Sequence, residues 1–351
     1  MRYGPLSRGL LMVLLAGCGS YSSTDSLPGP PLLAGQDCLV IVLDALGADH
    51  LGCYGEVRET SPALDALANE GVRFSRAWSQ TSWTLASTAS LMTGQYQETH
   101  GVRLNDQLLG ESAQTMAEAF SEAGYTCLGF TQNPFASPVF GFGQGFDRFD
   151  EMYRDEEGIS EGTMGKAVAS AMEQTAGGAP RFVYAHFRRP HAPYDPPPHV
   201  AAAFVDGDYD GAVTGAAEDI QRFNAGGTVV LPRDVAHLRN LYQAGLATVD
   251  AEVGRLLDAL DLSRTLVVVL SDHGDAFGQH GIFGHNFSSF EEMVHIPMML
   301  RHPSLPAGRV VNTPVMSIDI LPTLADLFGL DVSTKDVQGQ SLLGEVLGEA
   351  P

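Results

Sequence analysis

CLVIVLDAL (38–46) is an unbroken apolar, β-branched run that ends in an aspartate and two small apolar residues. A run with no polar alternation fits a strand covered on both faces, in a parallel sheet whose carboxyl edge delivers a side chain to a crevice. TLVVVLSDHGD (265–275) repeats the design. Around these two strands lie helical patterns. SPALDALANEG (61–71) has Ser61 as cap, Pro62 in the first turn and Gly71 as stop, SAQTMAEAFSEAG (112–124) is similarly Ser-capped and Gly-ended, and a long amphipathic stretch runs from about Arg233 to Leu260. YTCLGFT (125–131), RFVYAHF (181–187) and IPMMLR (296–301) read as further strands, and SIDILPTLADLFG (317–329) as a late helix. Strands alternating with helices imply an α/β fold with a mostly parallel sheet sandwiched between helices. The segment 199–232, rich in Ala, Gly and Asp, reads as an insertion loop near the mouth of the site.

The chain has 351 residues, 44% of them hydrophobic, enough for one large α/β domain or two modest ones. Its formal net charge of −22, with no Lys/Arg cluster, excludes a nucleic-acid partner, because binding a phosphate backbone needs clustered cations. An acidic protein acting on an anionic substrate must bring positive charge to the site, and a bound cation does this better than scattered side chains.

The N-terminus, MRYGPLSRGLLMVLLAGC (1–18), places Arg2 and Arg8 before a short apolar run, as in an export signal, and is too short to span a membrane. Leu15-Ala16-Gly17-Cys18 resembles the lipobox of bacterial lipoproteins, which implies cleavage before Cys18 and acylation of its thiol. The expected location is therefore a bacterial cell envelope, with a lipid anchor in the membrane and the folded domain in the periplasm or outside. Residues 19–36, rich in Ser, Gly and Pro, read as a tether. Cys38, Cys53 and Cys127 are an odd set with no paired spacing, which does not support a disulfide framework.

Chemistry-bearing residues cluster at the strand ends. Asp44 follows one apolar run, and Asp272 with His273 follows the other. A lone Asp at such a place is often only a helix cap; two together with an adjacent His form an oxygen and nitrogen set suited to a cation. SDHGDAFGQHGIFGH (271–285) packs four Gly and three His into one loop, a density that lets backbone wrap closely around an ion. SQTSWTLASTASLMTGQY (79–96) is crowded with hydroxyls. Its bland reading is a capped helix. Its chemical reading is a hydroxyl at a helix N-terminus beside a cation, activated to attack an ester. Composition does not choose which hydroxyl.

These segments, with LVIVLDALGADHLGCYG (39–55), GYTCLGFTQNPF (124–135) and FVYAHFRRPHAPYDPP (182–197), follow the order found in the sulfatase family of the alkaline phosphatase superfamily, and the resemblance covers the chain after residue 37. It implies a three-layer α/β sandwich on a large mixed, mainly parallel sheet, with a C-terminal subdomain that is minimal here. The family signature Cys-x-Pro-Ser-Arg-x-x-Leu-x-Thr-Gly falls on Thr84–Gly94. Leu91, Thr93 and Gly94 match, as does Ser87, but Thr84 stands at the cysteine that becomes formylglycine, Ala86 at the proline and Thr88 at the arginine. Thr84 thereby resembles the threonine nucleophile of relatives that cleave or transfer phosphate esters.

The resemblance also implies a metal set of Asp44, Thr84, Asp272 and His273, with Ala45 where the family carries a second aspartate. The histidine favours a borderline ion, Zn²⁺ or Mn²⁺, over Ca²⁺, with Mg²⁺ also in the running. His191 matches a substrate-contacting histidine, and His285 lies at the place of a lysine that bridges nucleophile and substrate. Either would protonate the leaving oxygen or hold a second metal. Asn133 is a candidate for oxyanion contact, His186, His280 and Arg188 are candidates for the surrounding shell, and His100 and Cys53 read as structural. The expected division is signal 1–18, tether 19–36, catalytic domain 37–330 and tail 331–351. The expected function is metal-dependent hydrolysis of phosphate or sulfate esters, with phosphate mono- or diesters preferred. Two rivals stand beside it: transfer of lipid or envelope-polymer head groups, and a catalytically silent binding protein on the same fold. A small-molecule or polymer-linked ester is the expected partner, and no protein partner is implied.

Overall fold

The structure, a computed structural model, describes residues 31–154, 160–333 and 335–348, so Cys18 and the proposed signal lie outside the described residues. Eight strands form the central sheet: β1 (Asp37–Leu43), β2 (Val72–Phe74), β3 (Thr126–Thr131), β4 (Arg148–Glu151), β5 (Arg181–Phe187), β6 (Thr265–Ser271), β7 (Met298–Arg301) and β8 (Arg309–Val311). Their spatial order is β8-β2-β7-β6-β1-β5-β3-β4. Every pairing is parallel except those of β7, which runs antiparallel to both β6 and β2. The sheet is thus mixed and mainly parallel, as the order of motifs implied.

The apolar runs build two cores because side chains alternate across a strand. Cys38, Val40 and Val42 enter one core with Leu266, Val268, Leu270, Phe182 and Tyr184. Leu39, Ile41 and Leu43 enter the other with Val267, Val269, Val183 and Ala185. The first core is closed by helices α2 (Thr84–Thr93), α3 (Met116–Glu122) and α6 (Ile320–Phe328). The second is closed by α1 (Pro62–Glu70), α4 (Thr163–Gln174) and the long α5 (Pro232–Asp258). Three layers result.

Several expected boundaries shift for identifiable reasons. Helix α3 begins at Thr115, not Ser112: Thr115 Oγ1 accepts from the Glu118 amide and Glu118 returns a bond to the Thr115 amide, a reciprocal cap. Ser61 does not cap α1. The free amides of Ala63 and Leu64 go instead to the buried carboxylate of Asp250, at 3.0 and 2.9 Å. The run 296–301 breaks at Pro297, so His295–Ile296 joins a small separate sheet. Segment 199–232 is not a structureless loop: Pro198–Phe204 and Ala217–Asn224 are helical, and Asn224 bonds to Phe283 of the glycine-rich loop. Within the expected tail, Leu343–Leu347 is a helical turn with Val346 fully buried. No helix among the described residues is long and apolar enough to cross a membrane.

Candidate active site

The parallel register decides where the polar residues go. Leu43 pairs with both Ser271 and Phe187, and His186 pairs with Thr131. Asp44, Asp272, His186 and Asn133 therefore all emerge near the carboxyl edge of four adjacent strands, where α/β sheets hold their ligands. On β1 and β6, Asp44 and Asp272 continue the even-numbered series that faces α2, and His186 does so on β5. Thr84 is the first residue of α2, where the helix dipole favours developing negative charge. Alternation and register together bring these side chains to one point.

The centre is buried. His273 Nδ1 donates to the Gly274 carbonyl at 3.0 Å, so Nε2 carries the free lone pair. That Nε2 lies 3.2 Å from Thr84 Oγ1, 3.7 Å from Asp44 Oδ1 and 3.6 Å from Asp272 Oδ2. Asp44 Oδ1 and Asp272 Oδ2 are buried with no hydrogen-bond partner. Their other oxygens are occupied: Asp272 Oδ1 accepts from the Ala45 and His273 amides, and Asp44 Oδ2 accepts from the Asn133 amide. Leaving two carboxylate oxygens dry and unpaired is costly unless a cation compensates them. Edges of 3.6 and 3.7 Å match the roughly 3.4 Å between ligands in a tetrahedral set with bonds of about 2.1 Å. The donor set fits a divalent ion.

Local electrostatics agree. Burial pushes the Asp44 carboxyl up, but the charge of His191 and the contact and charge of His186 outweigh it and hold the group well below the usual carboxylate range. Burial lowers the His273 imidazole below its ordinary value, only partly offset by Asp272, which keeps it neutral and able to donate its lone pair. Ala45 sits at a φ of 59°, an uncommon conformation for a residue with a Cβ, and this bend aims its amide at Asp272. Gly274 is required by space: a Cβ there would lie 2.4 Å from the Glu292 carbonyl oxygen.

Outside the carboxylates stands a second group. His285 Nδ1 lies 2.8 Å from Asp275 Oδ1, and Tyr194 donates its hydroxyl to Asp275 Oδ2 at 2.9 Å. Burial acts to lower His285, but the bond and charge of Asp275 override it and raise the imidazole above its ordinary value. The His285 ring centre is 4.3 Å from that of His273 and 4.9 Å from that of His191. Asp44, Asp272 and His273 form one possible metal cluster and His273, Asp275 and His285 another. Both draw on His273, which has one free nitrogen, and that nitrogen sits among Thr84, Asp44 and Asp272. The Asp275–His285 pair accordingly reads as a hydrogen-bonded dyad. Trp83 walls this side, its ring centre 5.7 Å from His285 and 5.5 Å from the exposed Phe287.

Not every candidate lies where the sequence suggested. Asn133, expected to contact substrate oxygens, spends its amide on Asp44 and its carbonyl on the Phe135 amide, so it orients a carboxylate. His280 is exposed, stacked on Phe290 at 3.8 Å, outside the centre. Arg188 shapes the His191 loop by donating to the Ala192 carbonyl. His100 bonds Ser90 and the Val102 amide, a structural role, and Cys53 likewise lies away from the centre against Asp65. Asp275 was missed, although its place three residues after Asp272 in a glycine-rich loop was a usable signal.

Residues 36–330 match the family model Sulfatase. The chain belongs to the sulfatase family. It is 24% identical over 337 residues to an uncharacterized sulfatase of Escherichia coli, covering 84% of this chain and 68% of that protein. It is 24% identical over 417 residues to mouse iduronate 2-sulfatase, covering 93% of this chain and 75% of that one. Among solved structures, the phosphonate monoester hydrolase of Agrobacterium radiobacter superposes with a TM-score of 0.75 at 24% identity, over 90% of this chain and 78% of that one. At this identity the superposition establishes the fold.

Proposed function

We propose that this protein is a metal-dependent hydrolase of phosphate-type esters, with Thr84 as nucleophile, anchored in a bacterial envelope through Cys18. The observation that carries this reading is the Thr84 hydroxyl at the N-terminus of α2, 3.2 Å from His273 Nε2 and beside two unpaired buried carboxylate oxygens.

Asp44, Asp272, His273 and the Thr84 oxygen would hold the cation. When bound, it would stabilise the attacking oxygen and the anionic ester. Thr84 Oγ, its proton released to solvent, attacks phosphorus in line as the bond to the leaving oxygen breaks, giving a covalent Thr84 phosphoester that water then hydrolyses, its proton returning to His285. His285, held through Nδ1 by Asp275, has Nε2 free to protonate the leaving oxygen, with His191 beside it. Asn133 keeps Asp44 in place.

Position 84 supports phosphorus over sulfur. A threonyl sulfate ester is released only by a second attack at sulfur, whereas the formylglycine hydrate of family members with the cysteine expels sulfate by elimination. The test is turnover of aryl phosphate, phosphodiester, phosphonate and sulfate esters by the purified protein with added Zn²⁺, Mn²⁺ or Ca²⁺, beside Thr84→Ala. Metal-dependent turnover of phosphorus esters, lost in the variant, is the expected result. Turnover of sulfate esters alone would overturn the preference, and no turnover with no bound metal would leave the silent-protein reading.

A further inference from the structure

Beside His285 lies an aromatic surface that the steps above do not use. Trp83, the residue before Thr84, is partly buried, and its ring centre is 5.3 Å from that of Phe135, 5.5 Å from that of Phe287 and 5.7 Å from that of His285. Phe287 and Phe135 are tilted 39° and 58° against the indole, so neither covers it as a parallel stack would. Phe140 extends the surface, stacked on Phe135 at 5.5 Å, and its neighbour Val139 is exposed. Phe287 is 65% exposed, and together with these rings it forms a connected apolar patch rather than a lone surface side chain. The patch is also held in place. The buried Ser82 hydroxyl, two residues before Thr84, faces the Asn286 carbonyl and lies 2.7 Å from the Ser288 carbonyl, which pins the loop carrying Phe287 to the start of α2.

Position decides which part of a substrate meets this surface. His285 Nε2 faces the leaving oxygen in the preceding reading, and Trp83 stands next to that ring, so the group attached to the leaving oxygen meets the indole. The chemistry of the rings decides what that group is. Arginines lie over six aromatic rings among the described residues, and none of these is Trp83, Phe135, Phe140 or Phe287. Rings without a cation on them suit an uncharged group, and the net charge of −22 disfavours a second anion there. A sugar also stacks on an indole, but its hydroxyls need hydrogen-bond partners. The one polar atom of these four rings, Trp83 Nε1, is buried out of reach.

We propose that Trp83, Phe135 and Phe287 form the leaving-group subsite, and that the substrates are phosphate esters of apolar alcohols, aryl or alkyl, rather than of sugars or other polar alcohols. The inference rests on the assignment of His285 to the leaving side in the preceding reading.

The test uses the purified full-length protein with Zn²⁺, and it has a binding arm and a kinetic arm. Trp78→Phe leaves Trp83 as the remaining tryptophan, so its emission reports on the subsite. Benzylphosphonate, which has no ester bond to cleave, should shift that emission to the blue and bind about 10-fold tighter than methylphosphonate, with most of the advantage lost in Phe287→Ala. In the kinetic arm, decyl phosphate should exceed glycerol phosphate and glucose 6-phosphate in kcat/KM by about 10-fold or more, and 2-naphthyl phosphate should exceed phenyl phosphate. Phe287→Ala should erode both preferences, chiefly through KM, at an unchanged melting temperature. A preference within only the alkyl or only the aryl pair supports the subsite and names the source of the apolar group. Equal binding of the two phosphonates, binding of neither, a preference for the glycerol or glucose ester, or an equal loss on all esters in Phe287→Ala overturns the proposal while Thr84 chemistry stands. Tighter binding of benzylphosphonate without turnover of any ester would keep the apolar subsite and remove the hydrolase reading.

Discussion

At the scale of single residues, the centre depends on hydrogen bonds that leave chosen atoms free. The backbone carbonyl of Gly274 takes the His273 Nδ1 proton, and Asp275 takes that of His285, so each ring presents one defined nitrogen. Thr84→Ala removes the proposed attacking oxygen and should lower kcat by about 10³-fold or more, with no covalent phosphoprotein trapped on acid quench. Asp275→Asn keeps the shape but loses the carboxylate that holds His285. It should lower kcat by about 10²-fold for esters with poor leaving groups and much less for activated aryl esters, with KM nearly unchanged. An equal loss across leaving groups would mean that Asp275 does not act through proton donation. Much of this was legible from residue types: the strand-end aspartates, His273 and Thr84 carried signals in the sequence. The role of Asn133 was not, because a hydrogen-bond partner 89 residues away, Asp44, has no local trace.

At the scale of elements, helix α1 shows how a local rule yields to a long-range one. Ser61 has the right chemistry for a cap, but Asp250 of α5 reaches the same amides, and burial pushes its carboxyl up to about 6. A folded value above the unfolded one of about 3.9 means that this group contributes most stability below pH 4, and that the contribution is lost as pH rises through 6. Thermal melts of the wild type should therefore lose stability between pH 4 and 7 more than those of Asp250→Asn, in which this slope is absent. Gly71 was read as a helix stop. Its backbone is extended, and a Cβ there would meet the Leu300 carbonyl oxygen at 2.2 Å, where β7 passes close by. Gly71→Ala should cost about 1–3 kcal/mol in denaturant unfolding, as overpacking does, without changing KM.

For the whole molecule, the charge of −22 and the buried carboxylates act together. A cation held by Asp44, Asp272 and His273 would neutralise the centre, so on the proposed reading chelation should destabilise the fold. Saturation at about 100 times Kd is worth about 2.7 kcal/mol, or about 5 °C in melting temperature for a domain of this size. An unchanged melting temperature on metal addition would argue against the centre. The same net charge repels polyanions at long range. Raising salt from about 10 to about 150 mM should lower KM for polyanionic esters and leave that of a small monoester nearly constant.

The sequence by itself determined the class of fold, the two central strands and the order of the motifs, because apolar runs, glycine stops and short polar clusters are local signals governed by periodicity and turn chemistry. Asp44, Asp272 and His273 were legible as polar residues closing two apolar strands, whereas Thr84 was singled out among its neighbouring hydroxyls only by the resemblance to the sulfatase signature. Only the tertiary structure decided that Thr115 and Asp250 are the helix caps, that Gly71 is a point of close approach, and that Asn133 serves a carboxylate. Placing His186 against Asp44 and Asp272 likewise needed the parallel register of β5, β1 and β6. Register between strands more than 100 residues apart comes from packing two cores at once, and no local pattern records it.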